Sequence, residues 1–150
     1  MKPSPYMEQA LSQAEAAAGR GEVPVGAVLV ESASGEAVAA SGNRVRELSD
    51  PTAHAEILVI RAAAQALGSE RLGGLDLYVT LEPCAMCAGA ISFARLRRVV
   101  YAADDPKGGG VEHGARFFDQ PTCHHKPEVV AGVGEVRAAE LLRAFFAQRR

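Results

Sequence analysis

The run from Leu75 to Ala103, LDLYVTLEPCAMCAGAISFARLRRVVYAA, constrains the fold more than any other stretch. It reads as strand, helix, strand. The outer pieces, LDLYVTL and RRVVYAA, are compact and β-rich, as buried strands are. Between them Glu82-Pro83 opens a helical pattern, with proline suited to the first turn. Strands joined through a helix run parallel, because a tight turn cannot connect parallel neighbours, and the crossover is right-handed. Such a unit needs further elements on both faces of its sheet.

The rest of the chain supplies them. SPYMEQALSQAEAAAGRG reads as a helix that Ser4 can cap, with Pro5 at its first position. Met7, Leu11, Ala14 and Ala18 fall on one face, and Gly19 and Gly21 end it. VPVGAVLVE and GEAVAASG, separated by SASG, have the pattern of a hairpin. After the polar loop NRVRELSD, Asp50 as cap and Pro51 in the first turn predict a helix through TAHAEILVIRAAAQALG. A long Gly/Pro-rich segment with room for a short helix follows the second crossover strand. EVVAGV then reads as a last strand and GEVRAAELLRAFFAQRR as an amphipathic last helix. No linker or repeat interrupts residues 1–150. The expectation is one three-layer α/β/α domain.

Composition narrows the function. Nearly half of the residues, 48%, are hydrophobic, enough for a sizeable core. No run of about 18 apolar residues predicts a membrane span. MKPSPYMEQALSQ has no continuous apolar region of a secretory signal, so a cytoplasmic protein is expected. Three cysteines do not make a disulfide framework, and in a reducing compartment a Cys-x-x-Cys pair is a metal or redox motif. The net charge of −2 does not advertise a nucleic-acid binder, although RLRR at Arg95–Arg98 and the terminal QRR are basic.

The chemistry lies in two short motifs. His54 and Glu56 stand at the predicted start of one helix, and Cys84 and Cys87 follow Pro83 at the start of the next. On a first turn, residues three apart share a face, so both sulfurs can meet one ion. The positive end of a helix favours the thiolate that zinc requires. Crossover topology brings helix N-termini to the carboxyl edge of a parallel sheet, which would carry His54 to the two cysteines. One imidazole and two thiolates leave a fourth zinc position open for water, whereas a structural site is closed by four protein ligands. Glu56, two residues from His54, faces another side of the helix and suits a proton carrier better than a ligand. Taken apart, Cys-x-x-Cys could be a thiol redox pair, and Glu56 a partner of the helix dipole.

His-x-Glu followed by Pro-Cys-x-x-Cys is similar to the signature of zinc-dependent nucleobase deaminases. The likeness extends further. EVPVGAVLV, GNR, DPTAHAEI, LYVTLEPCAMCAGAI, RRVVYAADDPK and LLRAFFAQRR resemble, in order, the bacterial tRNA-specific adenosine deaminases of the cytidine deaminase superfamily. The resemblance implies a cytidine-deaminase-like fold with a central mixed five-stranded sheet. It implies hydrolysis of a cyclic amidine C–N bond, converting the wobble adenosine of a tRNA anticodon stem-loop, that of an arginine tRNA, to inosine. It implies one zinc ion per subunit on His54, Cys84 and Cys87, Glu56 as proton shuttle, and a homodimer. Asn43, Ala55 and Pro83, with the backbone near Ala55 and Cys84, would orient the base. Asp105 and Lys107 align with positions that touch flanking nucleotides. Phe145, Phe146 and the terminal Arg149 and Arg150 lie where the family's last helix approaches RNA.

Plainer roles stand beside these. Asn43 could stabilise a turn, Asp105-Pro106 with Gly108–Gly110 could form one, and at least one of Phe145 and Phe146 suits core packing. The segment GGGVEHGARFFDQPTCHHKP departs from the family's shorter one and places Cys123, His124 and His125 in a row. Cys123 suits an apolar packing role and could otherwise close the metal site; one of the histidines could contact RNA. Two rival functions remain: a zinc deaminase of a free base or nucleoside (guanine, cytosine or adenosine), and a non-enzymatic zinc scaffold. For the tRNA enzyme, a dimer groove lined by Arg95, Arg97, Arg98, Lys107 and the terminal arginines would answer the low net charge.

Overall fold

A computed structural model describes residues 4–149. The elements run α1 (Pro5–Gly19), β1 (Gly26–Glu31), β2 (Ala37–Gly42), α2 (Ala55–Leu67), β3 (Leu75–Leu81), α3 (Ala85–Ala94), β4 (Arg98–Ala103), a short 3₁₀ turn (Phe117–Asp119), β5 (Glu128–Ala131) and α4 (Glu135–Ala147). The sheet order is β2-β1-β3-β4-β5. β1 pairs antiparallel with β2 and with β3, while β3, β4 and β5 are parallel. This is the mixed five-stranded sheet expected.

Alternation along the strands divides the core in two. Ala27 and Leu29 of β1, Leu75, Leu77 and Val79 of β3, and Val99 and Tyr101 of β4 face α2 and α3. Val28 and Val30, with Val100 and Ala102, face α1 and α4. A residue period of two puts neighbours on opposite faces, so a strand apolar at every position demands cover on both sides. The α/β/α layering follows.

α1 begins as its sequence predicts: Pro5 occupies the first turn and Ser4 Oγ accepts the Met7 amide at 3.1 Å. Its buried face carries Met7, Ala10, Leu11, Ala14 and Ala17, so Ala17 takes the place expected for Ala18. The helix lies on two glycines paired across β1 and β2, Gly26 and Gly42. A methyl group at Gly26 would overlap the Ala10 carbonyl, and one at Gly42 would stand 2.6 Å from the Gln13 carbonyl oxygen.

The starts of the two site helices differ from expectation. α2 begins at Ala55, not at Pro51, with His54 as its N-cap. Asp50 caps no helix. Its Oδ1 accepts the Thr52 amide at 2.8 Å and the Thr52 hydroxyl at 2.7 Å, closing a turn that delivers His54. α3 likewise begins at Ala85, with Cys84 rather than Glu82-Pro83 at its N-cap. None of these described helices is long and apolar enough to cross a membrane.

Candidate active site

His54 and Cys84 occupy positions where Ser, Asp or Asn would stabilise a helix by about 1 kcal/mol. Neither side chain makes a capping hydrogen bond. Both are free to face one point at the carboxyl ends of the sheet. His54 Nδ1 stands 3.6 Å from Cys84 Sγ and 3.5 Å from Cys87 Sγ. These three donor atoms lie within 4.8 Å of one another. A tetrahedral zinc with Zn–S near 2.3 Å and Zn–N near 2.0 Å requires an N-to-S edge of about 3.5 Å. The donor set and its spacing fit zinc, and three ligands leave the fourth position open.

The titration of these groups follows from their crowding. The Cys84 thiol is pulled down to about 4, first by its hydrogen bond with Cys87 and then, against burial, by His54. Cys87 is pushed up by the same hydrogen bond, by burial and by the nearby Glu56 carboxylate. The two close sulfurs shift in opposite directions, and a divalent cation between them would favour the thiolate form of both. His54 is raised, chiefly by its hydrogen bond with Cys84.

Glu56 lies in the first turn of α2 and is 3% exposed. Burial lifts its carboxyl to about 7, over the opposing pull of its own backbone amide and of His54. A carboxyl poised there can accept and return a proton at neutral pH. Asn43 is buried at the end of β2, and its Oδ1 accepts the Ala55 amide at 2.8 Å. Only an oxygen can take that hydrogen, so the side-chain NH₂ is the end left to face the cavity. The Ala55 amide, expected near the base, is thereby engaged with Asn43. Pro83 is buried; its carbonyl accepts the Gly110 amide at 2.8 Å, tying the cysteine motif to the following loop.

A cavity of about 560 Å³ opens over His54, Glu56, Cys84 and Asn43. Val25, Leu81 and Phe145 form apolar wall, and Asp105, Gly108, Arg46 and Arg149 reach its mouth. Asp105 Oδ1 accepts the Lys107 and Gly108 amides at 3.2 and 2.9 Å, so the turn expected at Asp105-Pro106 is present. Lys107 is exposed beside it and does not line the cavity. Phe145 is buried and Phe146 half exposed, dividing the pair between packing and surface.

Other expectations shift. Arg97 pairs with Asp76 in two hydrogen bonds of 2.8 and 2.7 Å, and Arg98 with Glu128 at 2.8 Å. Both stand with Arg95 at the start of β4, while the cavity lies at its other end, where Ala103 pairs with Leu81. Within this chain they do not line the site. Cys123 lies partly buried against the α2–α3 core and beside Ser92, Sγ to Oγ 3.5 Å, and is not one of the three clustered ligands. His125 Nε2 is 2.8 Å from the Leu96 carbonyl, a structural contact, and His124 stacks on exposed Phe93. Arg150 lies outside the described residues.

Two buried carboxylates escaped the sequence reading. Glu82, 2% exposed, accepts the Asp105 amide at 3.0 Å on one oxygen and those of Val111, Glu112 and His113 at 3.1, 2.9 and 3.0 Å on the other. His113 Nδ1 adds a contact of 2.8 Å. Burial acts to raise this carboxyl, but the Asp105 amide, the His113 imidazole and the other donors hold it below the usual range. Glu22, also 2% exposed, accepts the Arg46 and Glu47 amides at 3.1 and 2.9 Å. Each gathers one loop around the cavity. Their signal was an acid set directly against an apolar run, in GEVPVG and in LYVTLEP.

Comparison with known proteins gives a consistent picture. The family model of MafB19-like deaminases matches residues 1–150. A tRNA-specific adenosine deaminase of Agrobacterium fabrum is 63% identical over 145 residues, covering 97% of this chain and 94% of that protein. A structure solved in a study of A-to-I editing by tRNA:A34 deaminases at the wobble position has a TM-score of 0.89 and 64% identity, covering 91% of this chain and 98% of that one. The guanine deaminase from Nitrosomonas europaea is more distant, with a TM-score of 0.81 and 26% identity over 97% of this chain and 86% of that one. The fold is cytidine-deaminase-like, as the sequence resemblance implied. With nearly its whole length shared with such relatives, the chain belongs to the tRNA-specific adenosine deaminases of the MafB19-like deaminase family.

Proposed function

We propose that this chain hydrolyses the C6 amine of the wobble adenosine in a tRNA anticodon loop, that of an arginine tRNA, leaving inosine and ammonia. The observation that carries the chemistry is the placement of Glu56: a buried carboxyl beside a His–Cys–Cys group of zinc-binding dimensions. His54, Cys84 and Cys87 hold one zinc per chain, which supplies a Lewis acid able to lower the pKa of water to about 7. As the water oxygen bonds to C6, Glu56 takes its first proton and carries it to the ring nitrogen N1; it then takes the second from the new C6 hydroxyl and gives it to the amine, which leaves as ammonia when the C6–N bond breaks. The Asn43 amide donates to the purine and fixes which edge faces Glu56. Val25, Leu81 and Phe145 keep bulk water from the reacting face. Asp105 and Lys107, on the loop gathered by Glu82, meet the nucleotides beside the target. The likeness to relatives named for tRNA supports the substrate. One domain carries the reaction, in a cytoplasmic homodimer.

The guanine deaminase among the structural relatives supports a second reading, in which a free base or nucleoside enters the same cavity. Metal-loaded protein incubated with an anticodon stem-loop separates the two. Inosine at the wobble adenosine is expected; untouched RNA together with ammonia from free guanine, cytosine or adenosine would overturn the first reading. Glu56→Gln should keep metal and fold while losing at least about 100-fold in turnover. Full activity in that variant would return the chain to a zinc scaffold.

A further inference from the structure

Around the mouth of the cavity, acidic partners are unevenly distributed among the arginines. Glu47 receives Arg44 Nη1 on both oxygens, at 2.7 and 2.9 Å, and Arg20 Nε at 3.5 Å. Arg20 also donates to the Asn43 carbonyl at 3.1 Å. Arg46 and Arg149 make no ion pair among the described residues, although both line the cavity mouth. They converge from different parts of the chain on Gly21. A methyl built there would stand 3.9 Å from Arg46 Nη1 and 4.0 Å from Arg149 Nη2. The two nitrogens therefore lie no more than about 8 Å apart, with no side chain from Gly21 between them.

The Arg149 guanidinium is held in place, and Arg46 is anchored through its backbone. The Arg46 backbone is fixed by the buried Glu22 carboxylate at 3.1 Å. Arg149 stacks on Phe145, 3.6 Å from the ring centre, and its Nη1 donates to the Phe145 carbonyl at 3.3 Å. Nη2 is left over, and it is the atom that approaches Gly21. Two cations with no acidic partner among the described residues, across such a gap, suit one oxyanion that accepts about 2.8 Å hydrogen bonds from each side. The cavity floor is already committed to a base by Asn43 and Glu56, so the anion at the mouth belongs to the backbone that presents the base.

We propose that Arg46 and Arg149 clamp the RNA phosphate bordering the target nucleoside, and so select a polynucleotide over a free base. This rests on the tRNA reading above. It also answers the net charge of −2: the positive potential is local, made by two arginines that have no acidic partner among the described residues.

The test uses metal-loaded enzyme and an anticodon stem-loop, with binding and initial rates followed across salt concentration. Arg46→Gln and Arg149→Gln should each weaken binding and raise KM by about three- to tenfold. Each should flatten the slope of log K against log salt by about 0.7. The double variant should lose little more than either single one, because one phosphate bridges both. Arg71→Gln, near the far end of the sheet, should match the parent. A stem-loop with one methylphosphonate beside the target adenosine should make the parent enzyme behave like the double variant. If the parent edits the stem-loop but the arginine variants match Arg71→Gln, or the methylphosphonate has no effect, the clamp alone is wrong. If the variants lose only a preference for AMP over adenosine, the anion is a free nucleotide's and the clamp fails as stated. If the parent ignores RNA and deaminates a free base, both readings fall together.

Discussion

Glu82 is the residue on which most of the cavity's loop depends. Five donors meet one carboxylate that has almost no access to water. Leaving buried donors without an acceptor costs more than the net value of the bonds themselves. Glu82→Gln turns an NH₂ toward amides that can only donate. It should lose about 2–4 kcal/mol of stability. Denaturant unfolding would measure that loss, and hydrogen exchange should quicken at the amides of Asp105, Val111, Glu112 and His113. Unaltered protection at those four amides would refute the role. The same cluster sets a pH window. The Glu82 carboxyl titrates below its usual 4.5, so its contribution is present above 4.5 and is lost as pH falls through the native value. His113 titrates above its usual 6.5, chiefly through Glu82, so its part is complete below 6.5 and is lost as pH rises through the native value. Protection of the loop should therefore be greatest between 4.5 and 6.5. In His113→Asn the alkaline side of that optimum should vanish while the acid side remains.

Among the elements, α1 depends most closely on a missing side chain. Gly26→Ala would drive a methyl into the Ala10 carbonyl and to within 2.6 Å of the Ala14 amide. The helix must then lift from β1, at a cost of about 2–4 kcal/mol. Its midpoint of chemical denaturation should fall accordingly, with metal content unchanged, because α1 packs on the face opposite α2 and α3. A neutral Gly26→Ala would show that the helix can retreat freely. Much of this layer order was legible in the sequence. Both strands of Leu75–Ala103 carry a continuous apolar face and the second, RVVYAA, is apolar on both; each helix carries one apolar stripe. Where helices begin was less legible. Asp-Pro-Thr signals a helix cap and an Asx turn equally, and the choice was made by Thr52, whose amide and hydroxyl both bond Asp50. The clustering of His54, Cys84 and Cys87 was legible because ligand chemistry restricts which residues can serve and how they are spaced. Glu22 and Glu82 were not, because a carboxylate that gathers loop amides has no spacing rule. Its partners are backbone groups, which every residue supplies. The setting of the Arg95–Arg98 cluster was hidden for a related reason: a run of charge in sequence does not reveal its carboxylate partners or which end of a strand it occupies.

At the scale of the whole molecule, the metal group joins parts that the sheet alone leaves separate. α2 and α3 lie side by side on one face, and the connection between them passes through β3, a full strand away. Their N-termini, each with partial positive charge, meet where His54, Cys84 and Cys87 converge. Their mutual hydrogen bond pulls the Cys84 thiol down and pushes the Cys87 thiol up, and burial raises the Glu56 carboxyl beside them. A divalent ion bound there would favour both thiolates, and its binding free energy would add to the folding free energy. An ion present at about a thousandfold its dissociation constant contributes about 4 kcal/mol. For a chain of this length that is about 10 °C in Tm. Chelation should therefore lower Tm by about that amount and make Cys84 reactive to a thiol reagent. One equivalent of zinc per chain should reverse both effects. Cys84→Ala should start from the lowered Tm and gain nothing from zinc. Cys123→Ser, whose sulfur lies outside the cluster, should keep the full response to chelator. If Tm is indifferent to chelation in the parent protein, the ion does not fasten α2 to α3. If Cys123→Ser loses the response as well, the ligand set differs from His54, Cys84 and Cys87.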